Sequence, residues 1–231
     1  MNIWGKIEKL ISIPKSVYVC LRLMPIQYAV KCPILVRYDT VLRSLKGQLL
    51  FEACELKTFL FQLGFTKAGD YDARYQRPML DLSGKIIVRG KIIFGQGARI
   101  FVGENAVLDI DDMFINTAGL TVFCYKHIKI GYHFTSSWDT LIMDTDFHPL
   151  LSVETGRVHE FEKTIIIGDN VWLCTRSVIL KGACIPDGCV IGAMSLVTSK
   201  KIESENVLLA GVPAAVISRN VTKFRDNILV K

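Results

Sequence analysis

The residues best suited to chemistry stand together in WDTLIMDTDFHPL, where His148 follows Asp144 and Asp146 at spacings of four and two. An imidazole with an ordinary pKa near ~6.5 takes a proton from a hydroxyl at neutral pH, so His148 is suited to general base catalysis. The ring works best when its second nitrogen is held, and in an extended segment residues two and four before His148 share its side. Asp146, or Asp144, is therefore expected to orient the ring or stabilise its charged form. The bland alternatives stand beside this: turn-capping or solvated carboxylates, and a surface histidine next to Pro149.

A regular scaffold surrounds that stretch. From Ile167 an aliphatic residue returns every six positions, at Leu173, Ile179, Ile185, Ile191 and Val197. That period belongs to neither a helix nor an ordinary strand, and it means that the chain turns a corner after each short strand. Small residues follow four positions after each aliphatic, at Val171, Ser177, Ala183, Cys189 and Ser195, and they suit a narrow interior. Gly168 and Gly192 sit where a corner is expected to need backbone freedom. A weaker series precedes this one: Val88, Phe94, Ile100, then Val102, Leu108, Phe114, Leu120, then Ile130, Ser136, Ile142. Residues 147–163 lose the period, and a polar excursion from flat walls is where function is expected.

Residues 1–50 hold eight Lys or Arg against Glu8 and Asp39, a surplus equal to the whole chain's net charge of +6. Such a segment suggests an anionic partner surface, such as a membrane leaflet or an acidic polymer, or else an ordinary solvated face. Ile3, Trp4, Ile7, Leu10 and Ile11 form one helical face, and the helix is expected to end near Pro14. Neither a signal peptide nor a membrane span is indicated, because Pro14, Lys15 and Arg22 interrupt the apolar run. Seven cysteines without a C-x-x-C pair read as buried thiols of a reducing, cytoplasmic compartment.

The wording IIIGDNVWLCTRSVILKGACIPDGCVIGAMSLV resembles the hexapeptide-repeat acetyltransferases, including the galactoside and maltose O-acetyltransferases and those that modify surface polysaccharides. The resemblance implies a mainly β protein, a left-handed parallel β-helix with an N-terminal mixed α/β cap and a short C-terminal helix. The expected divisions are a cap over 1–75, the β-helix over 76–213 with its excursion at 147–163, and a tail or helix over 214–231. It implies transfer of an acetyl group from acetyl-CoA to a sugar hydroxyl, with His148 as general base and no metal. An N-acetyltransferase on an amino sugar and a non-catalytic β-helix platform are the alternatives. A zinc-dependent β-helix carbonic anhydrase is disfavoured, since His127, His133, His148 and His159 do not have that family's spacing.

Carried over residue by residue, Asn116 in FINTAGLTV matches an asparagine that holds the acceptor, and Trp138 could stack on a sugar face. The family's next acceptor-contacting position, an aspartate, is Cys124 here. The coenzyme groove matches Trp172, Thr175, Ala193, Ser195, Thr198 and Ser199, with Lys200, Lys201 and Arg219 as cations for its phosphates. Cys174 and Ala215 depart from the usual glycine and arginine. Gly211 and Pro213 fit the turn at the nucleotide end. The family implies a homotrimer with sites between prisms and a glycan acceptor; no nucleic-acid partner is expected, and the basic N-terminal segment suggests peripheral membrane contact as an alternative to packing on the body.

Overall fold

A computed structural model describes residues 3–66, 72 and 75–224. Strands of two to five residues stack in parallel into three walls. The first wall runs from β1 (Ile34–Val36) to Val207–Gly211, the second from Val41–Leu45 to Leu196–Val197, and the third from Gln48–Phe51 to Cys184–Ile185. The chain visits first, second and third wall in turn, so each coil lies in register on the one before. This is the left-handed parallel β-helix, a triangular prism.

Every aliphatic position of the six-residue series points inward: Ile167, Leu173, Ile179, Ile185, Ile191 and Val197 are at most 3% exposed. Their small companions, from Val171 to Ser195, are buried with them. The earlier half fills the same interior with larger groups, and Phe61, Phe94, Phe114 and Phe134 stack coil upon coil at centroid distances of 5.6, 4.6 and 5.1 Å. At the corner between first and second walls, Gly97, Gly119, Asp139, Arg176 and Met194 repeat one left-handed turn, with φ between 57° and 70°. Gly168 has no such φ. It is required for space, because a Cβ there would lie 2.2 Å from Asp187 Oδ1, which accepts the Asp169 N–H.

Three expectations are corrected. The prism begins at Ile34 and not at 76: strands at Ile34–Val36, Val41–Leu45, Gln48–Phe51 and Phe61–Leu63 already lie in its walls. Loops of unequal length between them erase the six-residue count. Helix α1 (Ile3–Leu23) does not end at Pro14 but carries it on its exposed side. The missing N–H is offset by the opposite face, where Ser12 and Ser16 accept the Tyr38 and Val36 N–H groups at 3.0 Å each, and Cys20 Sγ lies 3.7 Å from the Ile34 carbonyl. Four helical residues advance about 6 Å and two strand residues about 6.6 Å, so α1 runs antiparallel to β1 and satisfies its free edge step by step. At the other end, Ala214–Arg219 is a strand folded antiparallel onto Val207–Gly211 through the cis Val212–Pro213 turn, not a helix. Residues 220–224 run back along the first wall, where Lys223 Nζ donates to the His133 carbonyl and, at 2.9 Å, to Thr135 Oγ1. The rest of the expected tail helix, 225–231, and much of the polar loop before Pro78 lie outside the described residues.

Candidate active site

The excursion leaves the end of the second-wall strand Leu141–Met143 and returns to the third wall at Ile165–Ile167. Its legs pair as a narrow antiparallel ribbon, with bridges at Thr145–Glu162 and Leu151–Val158 and an Asp146 N–H donated to the Phe161 carbonyl at 2.8 Å. Two lysines from neighbouring coils fasten it. Lys181 Nζ reaches Asp146 Oδ2 and the Glu160 carbonyl, both at 2.6 Å, and so ties the outgoing leg to the returning one. Lys126 Nζ lies 2.8 Å from Glu160 Oε1 and donates to the Glu162 carbonyl at 3.2 Å, and that contact holds the Glu160 carboxyl below its ordinary value.

His148 stands exposed at the mouth of this ribbon, its N–H donated to the Asp146 carbonyl at 2.7 Å. Neither expected carboxylate is bonded to its ring among the described residues. Asp146 is taken by Lys181. Asp144 is fully buried and accepts the Tyr125 and Lys126 N–H groups at 2.7 and 2.9 Å. Burial pushes its carboxyl up, against the pull of those donors. Asp144 therefore closes the preceding turn, and the chain of support to His148 runs through Lys181 and the Asp146 backbone.

Beside His148 the second wall carries an aromatic strip. Phe101 and Phe123 are register partners on adjacent strands, stacked at 4.8 Å. Phe147, with a left-handed φ of 61°, meets Phe123 at 5.4 Å and Tyr125 at 5.0 Å, both edge-on. The strip borders a cleft of about 610 Å³ whose lining includes Arg43, Arg99, Phe101, Phe123, Asp139 and Leu141. Trp138, 38% exposed, ends the first-wall strand Thr135–Trp138 at the corner where Asp139 enters that cleft. Sequence reading passed over this strip and Lys181. Alternation would have revealed the aromatics, since Ile100, Val102, Val122 and Cys124 point in and leave Phe101 and Phe123 facing out.

Other expected site residues divide. Asn116 is 0% exposed inside the prism. Its Oδ1 accepts the Gly95 N–H at 3.0 Å, and its Nδ2 donates to Ser136 Oγ at 2.9 Å and to the Ser137 and Ala118 carbonyls. That side chain is a rung of the scaffold, bonded within the prism and closed to solvent. Cys124 also points inward, where burial pushes its thiol up. Cys184, by contrast, is exposed and not one of the expected buried thiols.

Of the coenzyme positions, Thr198, Lys200, Lys201 and Arg219 come together around a cavity of about 360 Å³ at the C-terminal end, with Ala215 on its lining. Arg219 Nη1 donates to Ser204 Oγ at 2.9 Å. Thr175 and Ala193 occupy the first-to-second-wall corner on successive coils, where the Met194 N–H bonds the Thr175 carbonyl. Trp172 faces outward on the first wall, its Nε1 donating to Ser137 Oγ at 3.2 Å. Ser195 turns inward and accepts the Gly211 N–H at 3.1 Å, so its hydroxyl is structural. Ser199 lies exposed beside Thr198. No cluster of three or more His, Cys, Asp or Glu suited to a metal occurs among the described residues.

No family model matches the chain. Over 184 residues it is 33% identical to the galactoside O-acetyltransferase of Escherichia coli strain K12, a match covering 74% of this chain and 84% of that enzyme. The chain belongs to the hexapeptide-repeat acetyltransferase family. A second member-like relative is a 24.8 kDa uncharacterised protein from the cps region of Klebsiella pneumoniae, 32% identical over 139 residues. That match spans 60% of each chain. Among solved structures, the polySia specific acetyltransferase NeuO has the same fold, with a TM-score of 0.53 at 18% identity over 85% of this chain and 77% of that one. Within this family fold, the His148 ribbon is the one break in the regular coils between Arg99 and Val197.

Proposed function

We propose that the protein transfers an acetyl group from acetyl-CoA to a hydroxyl of a sugar in a surface polysaccharide or its precursor, working in the cytoplasm as a homotrimer. The observation that carries this reading is the position of His148: exposed at the mouth of the ribbon and joined through Phe147 to an aromatic strip bordering a 610 Å³ cleft. Stacked rings facing outward suit the apolar face of a sugar, and the cleft is roomy enough for one. The E. coli relative, whose name gives it a galactoside acceptor, supports the sugar class.

His148 takes the proton of the acceptor hydroxyl as its oxygen attacks the thioester carbonyl carbon. Backbone N–H groups stabilise the tetrahedral oxyanion. On collapse the C–S bond breaks and the imidazolium returns the proton to the departing thiolate, leaving the acetyl ester and free coenzyme A. Lys200, Lys201 and Arg219 supply cations for the coenzyme's phosphates. The ribbon tip, with Val153 97%, Leu150 64% and Leu151 62% exposed, supplies apolar surface for a neighbouring prism in the trimer.

Acetyl-CoA at a hundred times its dissociation constant should raise stability by about 2.7 kcal/mol, read as a higher melting temperature. In an acetyl-transfer assay on surface glycans, His148→Ala should lose roughly 10²- to 10⁴-fold in turnover with an unchanged melting curve. An undiminished rate in that variant, or no thermal response to the donor at millimolar concentration, would overturn the reading.

A further inference from the structure

Helix α1 buries two serines with a short apolar set on its inner side and leaves a longer apolar row on its outer side. Ser12, Ser16, Val19, Cys20 and Leu23 are buried against β1 and its surroundings. At about 3.6 residues per turn, the opposite direction holds Ile3, Ile7, Leu10, Pro14, Val17 and Leu21 in one continuous row. Ile3 is 68%, Leu10 66% and Leu21 51% exposed. The short helix α2 (Ile26–Ala29) and its exit add Ile26 at 70% and Val30 at 74%. Because α1 caps the free edge of the first strand, this row faces outward from the N-terminal end of the prism.

Cations border the row. Lys6 lies along one flank and Arg22 along the other. Next to Arg22 opens a groove of about 500 Å³, lined by Tyr18, Arg22, Arg43, Ser44, Lys46 and Ser83 and by no acidic residue. None of Lys6, Lys9, Arg22, Arg43 and Lys46 forms an ion pair among the described residues. No helix among the described residues is long and apolar enough to cross a membrane. An apolar row, flanking cations and a basic groove with hydroxyl donors match the interface of an anionic bilayer: acyl boundary, headgroup level and headgroup phosphate in turn. A second copy of this surface would instead set like charges against each other.

We propose that the N-terminal end of the prism docks on an anionic lipid surface, with α1 lying in the interface plane and headgroup phosphates held by Arg22, Arg43 and Lys46. The proposal stands independently of the transferase reading. Its test uses the full chain with vesicles of phosphatidylcholine containing about one-third phosphatidylglycerol, and with phosphatidylcholine alone, separated by flotation. The protein should float with the anionic vesicles and be released as salt is raised. Leu10→Glu with Leu21→Glu should weaken that partitioning by about tenfold or more. Arg22→Glu with Lys46→Glu should abolish the preference for the anionic vesicles. All four positions are exposed, and a melting curve on each variant verifies the fold. Recovery of the unaltered protein in the unbound fraction overturns the proposal, as does undiminished binding by the Leu10/Leu21 variant. A change of oligomeric mass in that variant, seen by light scattering, overturns it in favour of an interface between copies.

Discussion

The prism interior and the ribbon at 147–163 are built by opposite means. Inside the prism, each residue's neighbours are the matching residues one coil above and below, so Asn116 meets Gly95 and Ser136 because the parallel register puts them there. The ribbon has two isolated bridges, a few backbone bonds and two lysine fastenings, and its tip is bare. Most of the backbone pairing thus resides in the repeat, while His148 rides on a segment with few bonds to it. The difference teaches that conformity to the repeat marks a scaffold residue even when its chemistry looks functional.

Asn116→Ala tests that lesson with the largest expected effect. It empties a buried site and strands the Gly95 N–H and Ser136 hydroxyl inside the prism, which should cost about 2–4 kcal/mol in chemical denaturation. At temperatures where the variant is still folded, its KM for the acceptor should match that of the unaltered protein. A raised acceptor KM with full stability would mean that Asn116 touches substrate after all.

The alternation that settles Asn116 was already in the sequence. Phe114 and Ala118 belong to inward positions, so the residue midway between them must point inward too. Ser195 had the same signature, and so did Asp144, two after the inward Ile142. For Asn116 and Ser195 a likeness of residue type to known acetyltransferase contacts competed with parity, and parity predicts the geometry; for Asp144 the alternation with His148 is broken by the left-handed Phe147. The coils from Val88 to Val197 were legible because their interior admits only aliphatic, aromatic or small groups at fixed intervals. The first coil was not, because its connecting loops vary in length and no single period survives. Nor was the fastening of Asp146 by Lys181, a pair 35 positions apart that only the stacking of coils brings to 2.6 Å.

The free edge of β1 is an intermediate case, periodic on one side and met by a helix on the other. Ser16→Ala removes the acceptor of the buried Val36 N–H, and a stability loss of about 1–2 kcal/mol is expected. Ser16→Thr keeps the hydroxyl and should recover part of it. Equal stability of Ser16→Ala would show that the edge is satisfied without the helix and that α1 is retained for its outer face alone.

The smallest effect on stability, and the most informative for the ribbon, belongs to Lys181. Its ion pair with Asp146 is partly exposed, with 20% and 33% of the two side chains open to solvent, so the pair should contribute under about 1 kcal/mol to folding. Its effect on transfer should be larger, because Lys181 bonds both legs of the ribbon and Asp146 in turn accepts the His148 N–H. Lys181→Met should lower kcat by roughly tenfold, with little change in KM for acetyl-CoA, since misplacing a base raises the barrier to attack without disturbing the donor cavity. Lys181→Arg, which can still bond both partners, should recover much of the loss. A fall in donor affinity would instead assign Lys181 to the coenzyme. An unchanged kcat would mean that the ribbon holds His148 without it, leaving Lys126 and the bridges as its fastening.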